Sequence, residues 1–270
     1  MALTDSAKRV LRQTSRTFYI PISRLPSGLQ EAVGGAYLCM RAIDEIEDHP
    51  DLPVHNKAEL LHRVSQLMQS QTTRDTFDHV ELDQEFSQYS HLLPEVTRRL
   101  GEWACQAPAS IAPRIWDATA AMADRMAYWA SEGWSIETKA DLDRYTFSVA
   151  GAVGLLICDL GAWFDGSQMN RTFAVQFGRG LQMVNILRNR VEDLKRGVDF
   201  LPKEWNLSQL YQYTRLNLVE AEAYANTLPN NAFTYFIKIP LVLAIATLDA
   251  LEQGEAKLSR SMVLNLVRSV

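Results

Sequence analysis

Arg41-Ala42-Ile43-Asp44-Glu45-Ile46-Glu47-Asp48 is an octapeptide in which charged and apolar residues recur with a helical period. On a helix, Asp44 and Asp48 are one turn apart, and Arg41 lies three residues before Asp44 on the same face. Tyr37, one turn further back, extends that face. Two carboxylates at this spacing repel each other unless a cation lies between them, and oxygen ligands alone suit a hard ion such as Mg2+. Exposed to water, the same face would be one more solvated acidic surface, and the octapeptide alone favours that simpler interpretation.

A second polar stretch, between residues 182 and 193, changes that balance. If this stretch is a helix, one stripe of it is polar and the rest is largely apolar. The polar stripe contains Gln182, Asn185, Asn189 and Asp193. Polar residues on an inward face are costly unless they are paired or bind something. With Arg188 beside them, these side chains could hold both a metal and a phosphate. The alternative is a charged helix end that is stabilised by ion pairs within the helix.

The composition is that of a globular protein with a sizeable core. The chain has 270 residues, 47% of them hydrophobic, and a formal net charge of −5. This acidic balance and the scattered basic residues argue against a nucleic-acid partner. The 3 cysteines form no CxxC pair, which fits buried thiols in a reducing compartment. The 5 histidines lie between His49 and His91 without metal-ligand spacing, so a zinc site is not expected.

The sequence predicts neither a signal peptide nor a membrane span. The N-terminus lacks the basic-then-apolar pattern of a signal peptide. The longest apolar runs, 145–158 and 239–248, are shorter than the roughly 20 residues that a membrane-spanning helix needs. We therefore expect a cytoplasmic protein, a monomer or a weak homodimer, that touches a membrane surface at most transiently.

Hydrophobic residues recur with a period near 3.6 along almost the whole chain, which predicts an all-α protein. A long helix is expected from about Gly28 to Glu47, ending near His49-Pro50, and another over 170–195. Since no repeat or low-complexity linker interrupts the pattern, residues 1–270 are predicted to form a single domain. The small, apolar segment 149–154 lies within a helix, where its glycines indicate either close helix packing or room for a ligand.

The two polar stretches together suggest a chemistry. If their helices face each other across a bundle, Mg2+ ions between the stripes would present a positive pocket to a diphosphate. Arg41, Arg188 and the loop Ser15-Arg16-Thr17 could bind the remaining phosphate oxygens. The reaction expected of such a site is ionisation of an allylic diphosphate. Metals and arginines would stabilise the leaving group, and an apolar cavity would keep water from the carbocation.

In order and spacing, six stretches resemble the squalene/phytoene synthase family, the head-to-head trans-prenyl transferases. They are 15–19, 37–48, Tyr145 with 149–154, 182–193, 200–204 and 257–260. The resemblance covers nearly the whole chain and implies a single all-α isoprenoid-synthase bundle around a central cavity. The octapeptide is closer to the squalene synthase version of the motif, which favours C15 substrates.

The resemblance also implies roles for individual residues. The metal ligands, for Mg2+, would be Asp44, Asp48, Asn189 and Asp193. The substrate and diphosphate contacts would be Ser15, Arg16, Thr17, Tyr37, Arg41, Gln182, Asn185 and Arg188. The catalytic set would be Tyr145, Asp44, Asp48 and Asp193, with Tyr145 as the candidate for proton handling.

Three residues depart from the family pattern. Asn189 stands where aspartate is usual, Ser148 where squalene synthases often have tyrosine, and Val198 where arginine is frequent. The leading hypothesis is an Mg2+-dependent transferase that condenses two farnesyl diphosphates head to head to squalene, dehydrosqualene or the presqualene diphosphate stage. The alternatives are a phosphatase or terpene cyclase acting on one prenyl diphosphate, a phytoene synthase using C20 substrate, and a non-catalytic relative. Use of NADPH is unsupported by any motif, but the family does not bind it through a GxGxxG loop, so the question stays open.

Overall fold

The structure, a computed structural model, describes residues 3–74, 76–229, 231–255 and 258–270, with every side chain in these ranges except that of Arg16. The described residues form helices and turns without a β-strand, so the predicted all-α fold is confirmed. The helices are α1 (Asp5–Thr14), α2 (Arg16–Ile22), α3 (Leu29–Glu47), α4 (Val54–Gln71), α5 (Val80–Ser87), α6 (Glu95–Arg98), α7 (Leu100–Ala104), α8 (Ala112–Ser131), α9 (Lys139–Thr146), α10 (Ala152–Asp165), α11 (Arg171–Lys195), α12 (Leu207–Ala225), α13 (Ala232–Glu252) and α14 (Arg260–Ser269).

The chain divides into two compact units. The first contains the residues up to Gly133 together with Asp159–Ser167. The second contains Trp134–Cys158 together with the residues from Gln168 onward. That residues 1–270 act as one domain remains a prediction.

The first unit is built around α3, which is contacted by α1, α2, α4, α6, α7 and α8. The helix begins after Gly28, whose φ of +87° a glycine adopts without strain, and the Glu31 carboxylate accepts a hydrogen bond from the Gly28 N–H. It ends at Glu47, just before His49-Pro50, so its predicted bounds are confirmed. Because so many helices surround α3, little of its surface is left for solvent.

The segment from Arg16 to Ile22 is a helix, and the prediction of a loop at Ser15-Arg16-Thr17 is wrong. Ser15 is its N-cap: the Oγ atom accepts a hydrogen bond from the Phe18 N–H at 3.1 Å. Such a cap satisfies a backbone N–H that has no partner within the helix, which favours a helix even though Pro21 lies inside it.

The second unit contains a close crossing of two helices. α9, a π-helical turn (Phe147–Gly151) and α10 follow one another without a break, and the π-turn packs against α11. A Cβ atom at Gly154 would lie 2.0 Å from the Ala174 carbonyl oxygen, and one at Gly178 would lie 2.3 Å from that of Ala150. Close helix packing, one of the two predicted reasons for the glycines of 149–154, therefore accounts for Gly154.

Two helices in the described part of the chain, Lys139–Asp165 and Ala232–Glu252, are long and apolar enough to cross a membrane. This holds by length and composition only, and core helices of water-soluble proteins meet the same criterion. The sequence prediction counted uninterrupted apolar runs. It placed an apolar run in each of these helices and found both runs too short for a span, whereas an average over 18 residues tolerates the charged residues that end the runs.

Candidate active site

The candidate site of the first unit is a narrow stripe on α3. From Glu31 to Glu47, every residue is buried except Tyr37, Arg41, Asp44 and Glu45. Asp48, the C-cap of the helix, continues the stripe and is exposed. The stripe therefore contains every predicted site residue of this helix. The side chains of Arg41, Asp44 and Glu45 are half-buried, so this part of the stripe is less open to water than a fully solvated acidic face.

Arg41 holds the middle of the stripe. Its guanidinium pairs with the Asp44 carboxylate and with the Glu45 carboxylate, three and four residues further along the helix. The Nε atom of Arg41 is buried and has no hydrogen-bond partner among the described residues. Burial alone would lower the pKa of Arg41, but the two carboxylates outweigh burial and raise it. Glu45 was missed by the sequence prediction, although its spacing of four residues from Arg41 is that of an intrahelical ion pair.

The carboxylates of the stripe are not fully neutralised by Arg41. Burial, followed by the charge of Asp48, raises the pKa of Asp44 to about 7, and Arg41 offsets this only in part. The shift arises although 30% of the Asp44 side chain is exposed. The raised pKa means that burial and the charge of Asp48 disfavour ionised Asp44 more than Arg41 favours it. The stripe has one arginine for three carboxylates, and the oxygen donors of Asp44 and Asp48 fit a hard divalent cation.

Ser15 lies near the other end of the stripe. The Tyr37 hydroxyl interacts with the side chains of Ser15 and Thr14, and burial raises its pKa. The Phe18 ring packs against that of Tyr37 at 5.4 Å between centroids. The structure thus brings the predicted residues Ser15 and Tyr37 together. Thr17 is half-buried on α2, and the Arg16 side chain lies outside the described residues.

The candidate site of the second unit is the polar stripe of α11. Asn185, Arg188 and Asn189 are exposed, and Gln182 is half-buried. Arg188 bridges the two amides: its Nη2 donates to Asn185 Oδ1 at 2.9 Å, and its Nε donates to Asn189 Oδ1 at 3.2 Å. This part of the stripe therefore presents one positive charge and no negative one, which suits an anion such as a phosphate.

Asp193 differs from the rest of this stripe. It is 7% exposed, and its carboxylate pairs with Arg196, three residues further along the helix. Arg190 pairs with Asp199 at 2.7 Å. Intrahelical pairing at a charged helix end, the alternative interpretation of this stretch, is therefore present at Asp193. Asp193 is buried, whereas Asn185 and Asn189 are open to solvent, and the orientation of the stripe toward a cleft stays a prediction.

Tyr145 lies in the packed interior of the second unit. It is 5% exposed, and its ring stacks on that of Phe200 at 4.6 Å between centroids. Ser148 follows in the π-turn, where its Oγ donates to the Arg144 carbonyl oxygen at 2.7 Å. The role of Tyr145 in proton handling stays a prediction.

In the described part of the chain, three or more His, Cys, Asp or Glu side chains are nowhere grouped so that they could hold a metal. Each unit, taken by itself, supplies a short row of oxygen donors. The row is Asp44 and Asp48 in the first unit and Asn189 and Asp193 in the second. The predicted pairing of the two rows stays a prediction.

Solved structures define the class of fold. The structure of TcSQS with the ligand BPH1237 matches with a TM-score of 0.74 over 97% of this chain and 84% of that chain, at 24% identity. A dehydrosqualene synthase in complex with a ligand matches with a TM-score of 0.61 over 98% and 93% of the two chains, at 18% identity. The fold is therefore that of the helical isoprenoid synthases.

The family follows from the sequence. The squalene/phytoene synthase family model matches residues 11–219, and the chain belongs to that family. It is 29% identical to the squalene synthase of Schizosaccharomyces pombe, over 90% of this chain and 58% of that protein. It is 26% identical to the squalene synthase of Bos taurus, over 92% of this chain and 64% of that protein. The chain thus spans less than two thirds of the length of these relatives.

Proposed function

We propose that this protein is an Mg2+-dependent prenyl transferase that condenses two farnesyl diphosphates head to head to a C30 product. The observation that carries the proposal is the stripe of α3, where an otherwise buried helix exposes Tyr37, an arginine and acidic side chains. Membership of the squalene/phytoene synthase family and the names of the relatives support the choice of substrate.

We assign Asp44 and Asp48 as the principal metal ligands, with Asn189 and Asp193 as the ligands that α11 contributes. When bound, Mg2+ supplies positive charge that stabilises the leaving diphosphate. Arg41 has a buried Nε donor without a partner among the described residues, and we assign it to a phosphate oxygen. Ser15 and Thr17 add hydroxyl donors, and Arg188 adds a second guanidinium.

The remaining assigned residues orient the substrate. Tyr37, Gln182 and Asn185 present polar groups that fix the diphosphate end of the substrate. Tyr145 is the residue that we assign to proton handling, since its ring is held in place by stacking on Phe200. One prenyl diphosphate would ionise, and its cation would alkylate the double bond of the second chain. The new cation would then lose a proton, the one assigned to Tyr145, as the cyclopropyl ring closes. A second ionisation would release the remaining diphosphate, and the rearranged cation would become the C30 product by losing a proton or, if NADPH is used, by accepting a hydride.

A second candidate stays within the same fold: a phosphatase or terpene cyclase that acts on one prenyl diphosphate. It is favoured by the pairing of Asn189 Oδ1 with Arg188, because a neutral amide engaged by an arginine is a weaker metal ligand than a carboxylate. Ser148 favours the same candidate. It stands where squalene synthases often have tyrosine, and its hydroxyl donates to the Arg144 carbonyl oxygen. A phytoene synthase using C20 substrate is a third reading of the same site.

One experiment separates these candidates. Purified protein is incubated with farnesyl or geranylgeranyl diphosphate, with Mg2+ or EDTA and with or without NADPH, and both diphosphate release and organic products are measured. We expect Mg2+-dependent release and a C30 product from the C15 substrate. Farnesol or a C15 hydrocarbon would establish the second candidate, and a C40 product would establish the third. No diphosphate release from either substrate would contradict all three candidates. The NADPH arms report whether the product is reduced.

Asn189→Asp tests the weak ligand on α11. A second carboxylate should lower the Mg2+ concentration for half-maximal diphosphate release by about tenfold and leave the product unchanged, because anionic oxygen binds Mg2+ more strongly than amide oxygen. Asn185→Asp is the matched control, since Asn185 contacts the same arginine but is not a proposed ligand. An equal effect of both changes would contradict the assignment of Asn189, and a new product would mean that the asparagine selects the reaction.

We also propose a cytoplasmic location, a monomeric or weakly dimeric state, and no more than transient contact with a membrane surface. About half of the most apolar window of each apolar helix, 44% and 56%, is already buried inside the structure. High-speed centrifugation of a lysate should leave the protein in the supernatant, and recovery in the membrane pellet would contradict the proposal.

A further inference from the structure

A buried lysine meets the end of α3 that carries the acidic residues. Lys57 lies on the first turn of α4 and is 6% exposed. A buried ammonium group is costly unless hydrogen-bond acceptors replace its water. The Nζ atom donates to the carbonyl oxygen of Glu47 at 2.6 Å. The charge of Lys57 is thus directed at the backbone of α3.

Glu47 is the last residue of α3. Carbonyl groups in the last turn of a helix lack partners within the helix and carry its partial negative charge. A cation at this position satisfies one of them and opposes the helix dipole. Asp48, the proposed metal ligand, is the next residue along the chain. The bond from Lys57 therefore fixes the peptide group that leads into Asp48.

A second buried donor holds the same segment one and a half turns earlier. Thr97 is 0% exposed, and its Oγ1 donates to the carbonyl oxygen of Ala42 at 2.9 Å. Ala42 lies directly after Arg41. Further on, the ring of His49 is hydrogen-bonded to the Leu92 carbonyl oxygen at 3.1 Å. The backbone that carries the stripe is thus tied to its neighbours in the middle of the stripe and at its acidic end, by side chains that are not part of the stripe.

We infer that Lys57, assisted by Thr97, is a positioning residue that sets the geometry of the Asp44–Asp48 pair. Like charges one turn apart push against each other, and the helix end is where such a force can most easily unwind the backbone. Lys57 holds the last carbonyl in place, so the two carboxylates keep a fixed separation. The part of this inference that concerns metal binding rests on the function proposed above, whereas the anchoring of the helix end does not.

The first arm of the test is independent of activity. Hydrogen exchange of the backbone amides in residues 43–52 is measured by mass spectrometry for the wild type and for Lys57→Met, which keeps the apolar stem and removes the charge. We expect exchange in this segment to become about tenfold faster, while the earlier turns of α3 are unchanged. Lys8→Met makes the same substitution at an exposed lysine on α1 and should change nothing in this segment.

The second arm measures Mg2+-dependent diphosphate release from farnesyl diphosphate. Lys57→Met should raise the half-maximal Mg2+ concentration by about tenfold, as loss of groups that orient metal ligands does elsewhere, and Lys57→Arg should restore most of the difference. Thr97→Val should have a smaller effect of the same kind, with Thr97→Ser as its rescue. Residual enzyme that is merely less stable would lose turnover without this change in Mg2+ dependence.

The outcomes separate cleanly. Faster exchange together with a raised Mg2+ requirement supports the inference. Unchanged exchange in residues 43–52 overturns it, whatever the activity, and so does faster exchange with an unchanged Mg2+ requirement. If the wild type releases no diphosphate, the proposed function fails, and the exchange arm alone then decides whether Lys57 anchors the helix end.

Discussion

Asp44→Asn should lower kcat/KM for diphosphate release by about 1,000-fold, the scale on which loss of one charge-stabilising group affects an active site. The substitution removes one of the two carboxylates of the α3 stripe and leaves the shape of the side chain almost unchanged. The measurement is the initial rate of diphosphate release over a range of farnesyl diphosphate concentrations, repeated at several Mg2+ concentrations. Raising Mg2+ should recover only part of the loss, since the amide oxygen remains a weak ligand.

The same substitution should not damage the fold. Burial and Asp48 already raise the pKa of Asp44, so a neutral side chain at this position relieves repulsion, although it gives up the pairing with Arg41. We therefore expect an unchanged or higher Tm in the variant that has lost activity. Glu45→Gln is the matched control, because Glu45 pairs with the same arginine but is not a proposed ligand. Activity within tenfold of wild type for Asp44→Asn, or equal losses for the two variants, would contradict the assignment.

Gly178→Ala should destabilise the second unit by about 3 kcal/mol, the upper end of what overpacking costs. A methyl group there would lie 2.3 Å from the Ala150 carbonyl oxygen and 2.9 Å from the Gly151 Cα atom. Both are backbone atoms, so no side-chain rotation can relieve the clash and α11 must move away from the π-turn. Urea unfolding followed by circular dichroism measures the loss.

Gly151→Ala is the control for this prediction. Its methyl group would meet side-chain atoms, Phe147 Cδ2 and Val175 Cγ1, each at 3.2 Å. These can yield by a few tenths of an ångström, and alanine gains up to about 1 kcal/mol of helix propensity over glycine. The free energy of unfolding should therefore change by less than about 1 kcal/mol. A Gly178→Ala variant as stable as the control would mean that the helices do not cross as closely as the structure shows.

The helix that carries the first site could be predicted from local sequence. Gly28 before its start and His49-Pro50 after its end fix α3 to within a residue, and the spacing of Tyr37, Arg41 and Asp44 gives the stripe. Local sequence could not show that the rest of the helix is buried, because this depends on six other helices. That burial is what distinguishes a site from a solvated face.

Other features depend on single contacts that have no sequence pattern. The helix after Ser15 depends on the Ser15 side-chain cap, which offsets the destabilising effect of Pro21. The exposure of Asn189 depends on how α11 packs. Two contacts join a charged group to a partner that many other residues could have supplied. They are the ion pair between Asp193 and Arg196 and the hydrogen bond from Lys57 to the Glu47 carbonyl oxygen. For each of these, the sequence offered several partners of similar chemistry, and packing selected one.

The enclosure of α3 limits how the candidate site can be re-engineered. A library that randomises residues 31–47 samples only four positions at which a new side chain faces outward, and two of these are acidic. At every other position in that range a substitution alters the contact with a neighbouring helix before it can alter a bound molecule. Under the proposed function, variants with a different preference for prenyl chain length should therefore be sought on other helices, because Tyr37, the aromatic residue of the stripe, is assigned to the diphosphate end of the substrate.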